Sequence, residues 1–255
     1  MGEKKKETAV VIRQDSIAPN IYSMWLRTDE IARYAKPGQF VSLYCKDQSH
    51  LLPRPISICE IDKEDNALRL VYRVAGWGTE EFSRLKIGSS VDVIGPLGNG
   101  FPLKGKKAFL IGGGIGVPPL LELAKTLDCE KSIVLGFQED TYLTKEFSKY
   151  GPVYVATEDG SHGVNGNVLD AVRENGLEAE IIYACGPLPM LKALKEFAAQ
   201  KKMECWISME EKMACGIGAC LSCVCRSKNT DAHTNVKNKR ICTEGPVFRA
   251  EEVEL

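Results

Sequence analysis

Ala108-Phe109-Leu110-Ile111-Gly112-Gly113-Gly114-Ile115-Gly116-Val117-Pro118-Pro119-Leu120 is an apolar run that breaks into glycines and resumes as an amphipathic pattern. It reads as a strand, a tight turn and the start of a helix over about 118–127. A glycine-rich turn of this kind lets a pyrophosphate approach the backbone and the helix N-terminus. Pro119 stands where the usual dinucleotide fingerprint has its third glycine, so on its own the motif also fits a tight turn in any α/β domain. The residues beyond it carry the argument further. Apolar runs at 133–137, 153–156 and 181–185 alternate with helical patterns at 168–174 and 189–200. Strands alternating with helices imply βαβ units and a parallel sheet.

Upstream the rhythm differs. Short β-branched or aromatic runs at 8–13, 21–26, 40–44, 56–61, 68–74 and 91–94 are separated by Gly, Pro, Asn or Asp. Evenly spaced short strands point to a small antiparallel barrel or sandwich. One helix is expected over 79–85, with Thr79 as its N-cap. From Cys205 onward regularity fades and Gly and Cys dominate, as in small modules held together by metal. The reading is a multi-domain chain: an antiparallel β-barrel over 1–102, an α/β parallel-sheet nucleotide domain over 103–204 and a small C-terminal module over 205–255.

Composition excludes several classes of function. The 255 residues carry 33 Lys+Arg against 34 Asp+Glu, a net charge of −1, which gives no global reason to bind nucleic acid. The run Lys4-Lys5-Lys6 reads as a solvated terminus. No stretch reaches the roughly 18 apolar residues of a membrane span, and residues 108–121 are interrupted by four glycines and two prolines. The N-terminus lacks a secretory apolar region, and Lys6 breaks the myristoylation pattern. The expectation is a cytoplasmic chain without membrane or nucleic-acid partners. Ten cysteines are many, and six of them lie between Cys205 and Cys242. A disulfide framework is a poor explanation for a chain without a secretion signal.

The spacing is Cys215-x4-Cys220-x2-Cys223, with Cys242 following after 18 residues. Plant-type [2Fe–2S] sites use Cys-x4-Cys-x2-Cys and a more distant Cys. Gly216, Gly218 and Ala219 let the backbone wrap closely around a cluster. A zinc site usually shows two Cys-x2–4-Cys knuckles, and here the second is missing. Zinc and inert buried thiols stay open as alternatives. Cys225 lies close enough to compete with Cys223, although the x2 spacing favours Cys223. Cys45, Cys59, Cys129 and Cys205 read as structural thiols.

Gln138-Glu139-Asp140 follows the strand after the glycine turn. An acidic side chain there can accept from a ribose 2′-OH and would repel a 2′-phosphate, which favours NAD over NADP. For Asp140 alone an exposed acidic turn is an equal reading. In the barrel region, Arg54-Pro55-Ile56-Ser57 places a guanidinium fork, suited to a pyrophosphate, at a strand start. Gly76-Trp77-Gly78-Thr79 precedes a short helix, a second place for an anion. Either feature alone also fits a surface arginine and a loop.

Taken together these motifs resemble the ferredoxin–NADP reductase superfamily. Pro37-Gly38-Gln39-Phe40, Arg54-Pro55-Ile56-Ser57 and Gly76-Trp77-Gly78-Thr79 are similar to its FAD barrel. Gly113-Gly114-Ile115-Gly116-Val117-Pro118-Pro119-Leu120 resembles its pyridine-nucleotide loop, Thr157-Glu158-Asp159-Gly160-Ser161 with Gly163 and Gly166 is similar to another segment of the family, and Cys185-Gly186-Pro187 with Met190 resembles the stretch that flanks the nicotinamide. That resemblance spans 7–204. With residues 213–225 and 242–248 it extends over nearly the whole chain, to the iron–sulfur flavoprotein subunits of type B dihydroorotate dehydrogenases.

The resemblance implies FAD, a [2Fe–2S] cluster and NAD as cofactors. It also implies an FMN-containing, dihydroorotate-oxidising partner in a heterotetramer of two of each subunit. Electrons would pass from that partner through the cluster and FAD to NAD, in pyrimidine biosynthesis. Arg54, Pro55, Ile56, Ser57, Val71, Tyr72, Arg73, Gly78 and Thr79 would hold FAD. Gly113, Gly114, Gly116, Glu139, Cys185, Gly186 and Pro187 would hold NAD, with Cys185 beside the nicotinamide, and Cys215, Cys220, Cys223 and Cys242 would hold the cluster. No residue is assigned acid or base work, and His50, His162 and His233 are read as peripheral. Subunits of hydrogenases, sulfite reductases and ferredoxin-dependent NADP transhydrogenases share this architecture. Some of these lack a first cysteine ligand, so Cys215 disfavours that branch. A zinc-stabilised nucleotide-binding regulator is the alternative from a different class.

Overall fold

The computed structural model describes residues 4–47, 49–228, 230 and 235–255, so His233 lies outside the described residues. The first layer is built from β1 (Lys5–Ala18), β2 (Ile21–Arg27), α1 (Ile31–Tyr34), β3 (Phe40–Leu43), β4 (Arg54–Asp62), β5 (Ala67–Arg73), α2 (Trp77–Ser83) and β6 (Ser90–Leu97). Its six strands close into an antiparallel barrel in the order β1-β2-β5-β4-β3-β6, as the upstream patterning implies. Closure depends on β1. Its first half pairs with β6 and its second with β2, and the register shifts between Val11 and Arg13, where the two pairings hand over. Met24, Leu26, Val41, Leu43, Ile58, Leu68, Leu70, Tyr72 and Val93 fill the interior.

The second layer follows: β7 (Lys107–Gly113), α3 (Leu121–Thr126), β8 (Glu130–Phe137), α4 (Thr144–Phe147), β9 (Val153–Thr157), β10 (Val164–Asn165), α5 (Val168–Glu174), β11 (Ile181–Cys185), α6 (Leu188–Lys201) and β12 (Glu204–Ser208). These strands lie parallel in the order β10-β9-β8-β7-β11-β12. The pleat sends alternate residues to opposite faces. Phe109, Ile111, Val134, Ile182 and Ala184 meet α5 and α6. Ala108, Leu110, Ile133, Leu135 and Tyr183 meet α3 and α4. Because the chain steps outward from β7 through β8 and β9, then returns to β11, the strand order reverses between β7 and β11. A reversal of this kind leaves a crevice at the carboxyl ends of the strands.

The outer wall of the barrel packs on this layer. Cys59 and Val71 share a core with Val117, Leu120 and Leu121. That is why β5 is buried on both faces from Ala67 to Tyr72. Polar contacts fix the angle of approach. The Glu122 carboxylate accepts the Ile61 backbone N–H at 2.8 Å, and Arg69 pairs with Glu60 at 2.6 Å and Glu146 at 3.6 Å.

Two local expectations differ from what is found. Strand β12, within the stretch where sequence regularity fades, hydrogen-bonds to β11 as a full member of the nucleotide sheet. After the hairpin β13 (Val224–Arg226) and β14 (Asn238–Arg240) and the turn α7 (Ile241–Glu244), β15 (Val247–Arg249) returns antiparallel onto β12. The cysteine segment is therefore held between two strands of one sheet. Thr79 is not an N-cap but the third helical residue, because α2 starts earlier, at Trp77. Its hydroxyl reaches back to accept the N–H groups of Ala75 and Gly76 at 2.9 and 3.2 Å.

Candidate cofactor clefts and cysteine cluster

A cleft of about 1160 Å³ opens at the strand-order reversal. Gly113, Gly114, Gly116, Glu139, Gly186 and Pro187, all singled out from sequence, line it. The turn after β7 can lie this close to the end of β11 because Gly116 has no side chain: a Cβ there would stand 2.5 Å from the Gly186 nitrogen. Tyr142 donates from its hydroxyl to the Gly114 carbonyl at 2.6 Å and pins the turn. Cys185 is placed differently from the other candidates. It is 1% exposed and lies behind Gly186 and Pro187, with its thiol pushed up by burial.

The cleft is electrostatically divided. Glu139 and Asp140 line it from the end of β8. Arg173 from α5 lines the same cleft, so the acidic pair has an arginine in its surroundings that sequence neighbours do not reveal. Its Nη1 is engaged by Asp170 at 3.2 Å. Arg73 and Glu210 enter from the barrel and from the segment after β12. Glu210 is exposed at the cleft, and the protein around it raises its carboxyl pKa while Arg73 pulls in the opposite direction. Tyr142, Arg173 and Glu210 escape sequence reasoning because no spacing rule ties them to the glycines; packing alone brings them together.

Arg54 and Pro55 line a second cleft of about 620 Å³ with His50, Glu211, Lys212 and Met213. The Arg54 guanidinium lies on the first turn of α2, where a Cβ on Gly78 would meet its Cζ at 2.9 Å. The two barrel motifs, distant in sequence, thus form one surface. Arg54 also donates to the Leu52 carbonyl. Ser57 sits opposite Phe40 in the β3–β4 ladder, and Pro55 and Ile56 sit opposite Ser42 and Val41. Val71 and Tyr72 are buried, and the Tyr72 ring packs inside the barrel near Tyr22 and Phe82. Of the FAD candidates, Arg73 alone also lines the larger cleft.

The four cysteines fall into two pairs. Cys215 and Cys220 have their sulfurs 3.3 Å apart, and the Cys242 N–H reaches the Cys223 sulfur at 3.5 Å. Burial pushes the Cys215 thiol up, but the backbone N–H groups of Ile217, Cys220 and Ala219 outweigh it and lower its pKa to about 6. Burial and the adjoining Cys223 sulfur hold Cys242 up at about 12. Bound cations reverse that repulsion and bind thiolates. Two pairs suit two irons better than four ligands suit one zinc ion, so the donor set fits a [2Fe–2S] centre. Cys225 stands apart in β13, opposite Lys239.

Comparison with known proteins gives consistent matches. Residues 210–254 match the family described as the iron–sulfur cluster binding domain of dihydroorotate dehydrogenase B. The chain is 46% identical to the dihydroorotate dehydrogenase B (NAD(+)) electron transfer subunit of Geobacillus sp. (strain WCH70), covering 98% of this chain and 99% of that one. The protein of the same name from Bacillus velezensis is 45% identical, covering 98% of this chain and 100% of that one. Among solved structures, that of the NADH-dependent reduced ferredoxin-NADP oxidoreductase superimposes with a TM-score of 0.86 at 29% identity, over 96% of this chain and 89% of that chain.

Proposed function

The chain belongs to the family of dihydroorotate dehydrogenase B (NAD(+)) electron transfer subunits, and from that premise we propose that it carries electrons from a dihydroorotate-oxidising partner to NAD+. When bound, the [2Fe–2S] centre supplies single-electron transfer, and FAD supplies the change from single electrons to a hydride.

One observation carries the reading. Met209, Glu210 and Glu211 line the nucleotide cleft, Glu211, Lys212 and Met213 line the Arg54 cleft, and the cluster ligands begin at Cys215. A single segment leaving β12 therefore borders both clefts and leads into the cysteines, which supports three cofactor sites within one short span of the molecule.

The protein's own groups bind and orient. Arg54, with the start of α2 at Gly78 and Thr79, takes the FAD pyrophosphate. Pro55, Ile56, Ser57, Val71, Tyr72 and Arg73 form the flavin cradle, Tyr72 through its backbone. Gly113, Gly114, Gly116, Gly186 and Pro187 admit the nucleotide backbone, and Glu139 accepts from the adenosine ribose. Cys185 sets the floor beneath Gly186. Cys215 and Cys220 hold one iron, and Cys223 and Cys242 the other.

The family name implies a catalytic partner. We place FMN on that partner and two copies of each subunit in the assembly, as the resemblance suggests. A cytoplasmic setting fits ten cysteines without a disulfide among them. No helix among the described residues is long and apolar enough to cross a membrane.

The test is optical and magnetic. The purified chain should show flavin and iron–sulfur absorbance, bleach on anaerobic NADH addition and give a reduced-cluster EPR signal. A colourless, zinc-containing protein would contradict the reading.

A further inference from the structure

Three buried side-chain oxygens find no hydrogen-bond partner among the described residues: Gln14 Oε1, Ser42 Oγ and Thr243 Oγ1. Two of the three belong to residues that adjoin the cysteine loop. Ser42 belongs to barrel strand β3 and is 1% exposed. Its hydroxyl faces the residue after the first cysteine, since a Cβ on Gly216 would stand 2.8 Å from Ser42 Oγ. Thr243 follows Cys242 in α7 and flanks the same loop through its methyl group, since a Cβ on Gly218 would meet its Cγ2 at 2.5 Å.

A hydroxyl buried without a partner loses its hydration and gains nothing in return. Ser42 sits across from Pro55 on β4 and Ile94 on β6, neither of which offers a side-chain acceptor. An apolar side chain of similar size would pack there at lower cost. The hydroxyls gain a use if electron-rich atoms lie against them, and thiolates and sulfides are such acceptors. Hydrogen bonds to cluster sulfurs are among the factors that set iron–sulfur reduction potentials. The reduced centre carries one more negative charge than the oxidised one, so a donor stabilises it more.

We propose that Ser42 and Thr243 donate hydrogen bonds to the sulfurs of the [2Fe–2S] site, as positioning residues that raise its reduction potential. One of these donors comes from the barrel rather than from the cysteine segment, so the FAD-binding layer would help set the potential of the centre that feeds it. The proposal rests on the [2Fe–2S] reading of the four cysteines.

The experiment is an EPR-monitored redox titration of the full chain with its cofactors, as wild type and as Ser42→Ala, Ser42→Thr, Thr243→Val and Thr243→Ser. Ser42→Ala and Thr243→Val should each move the cluster midpoint to a more negative potential. The hydroxyl-keeping Ser42→Thr and Thr243→Ser should stay near wild type, and the flavin midpoint, read optically in the same titration, should not move. Unchanged cluster midpoints in both hydroxyl-free variants would overturn the proposal, as would a flavin shift equal to the cluster shift. If Ser42→Ala cannot retain a cluster, the Thr243 pair decides by the same criterion. Wild type without any reduced-cluster signal would instead overturn the cofactor reading beneath it.

Discussion

Arg54 and Gly78 account for each other: the guanidinium lies where any larger residue at 78 would put its side chain. This close fit gives the fork a fixed direction, which a lysine ammonium cannot reproduce. Arg54→Ala should weaken FAD binding by about 1.5–3 kcal/mol, the range for hydrogen bonds to charged groups, and Arg54→Lys should restore little of it. Flavin retention through dialysis measures this, and full retention in Arg54→Ala would move the pyrophosphate site elsewhere. At the larger cleft, Glu139 and Asp140 would oppose a 2′-phosphate, and Arg173, a cation lining the same cleft, is already engaged by Asp170. Steady-state kinetics should favour NADH over NADPH by roughly 1–3 kcal/mol, and equal efficiency would refute the acidic discrimination. The glycines, Arg54 and the cysteines were legible because each chemistry imposes a spacing on the chain. Arg173, Tyr142 and Glu210 were not, since they come from α5, from the loop after β8 and from the exit of β12.

The cysteine segment shows how an element can mislead. Composition changes at Cys205, yet Glu204–Ser208 continues the parallel sheet and Val247–Arg249 returns to pair with it. A five-residue strand beside a Gly/Cys loop has too little pattern to announce itself. The barrel and the βαβ alternation were readable, because their periodicities extend over many residues. Cys242→Ser should abolish or destabilise the cluster while FAD stays bound, and Cys225→Ser should do much less. An intact reduced-cluster EPR signal in Cys242→Ser would contradict the ligand assignment. The joint between barrel and sheet also carries a pH signature. Glu122 is 4% exposed, and burial raises its pKa although the Ile61 N–H and Lys125 pull it down. The folded state thus holds this proton more tightly than the unfolded chain. The stability it contributes is full below the ordinary carboxylate pKa and is lost as pH rises through the raised value. Glu122→Gln keeps an acceptor for Ile61 but cannot ionise. The stability of wild type relative to Glu122→Gln should therefore fall with pH across that window in urea titrations. A constant difference would show that Glu122 ionises as freely when folded as when unfolded.

At the scale of the whole molecule, the proposed function assigns every motif read from the sequence to FAD, the nucleotide or the cluster. No site for a small carboxylated substrate emerged from them. The strand-order reversal opens the larger cleft, the barrel carries the Arg54 cleft, and the segment after β12 runs from both to the cysteines. The identity of the partner was legible only through resemblance, because a docking surface imposes no residue spacing on a single chain. The proposed division of labour is that this chain conducts electrons and that oxidation of dihydroorotate belongs to its partner. Its most direct test is anaerobic NADH formation from dihydroorotate and NAD+, measured with the purified chain alone and again after adding the catalytic subunit proposed to bear FMN. The chain alone should reduce artificial acceptors with NADH yet form neither orotate nor NADH from dihydroorotate, and the mixture should form both in equal amounts. Orotate produced by the chain alone, or a mixture that oxidises dihydroorotate without reducing NAD+, would contradict it.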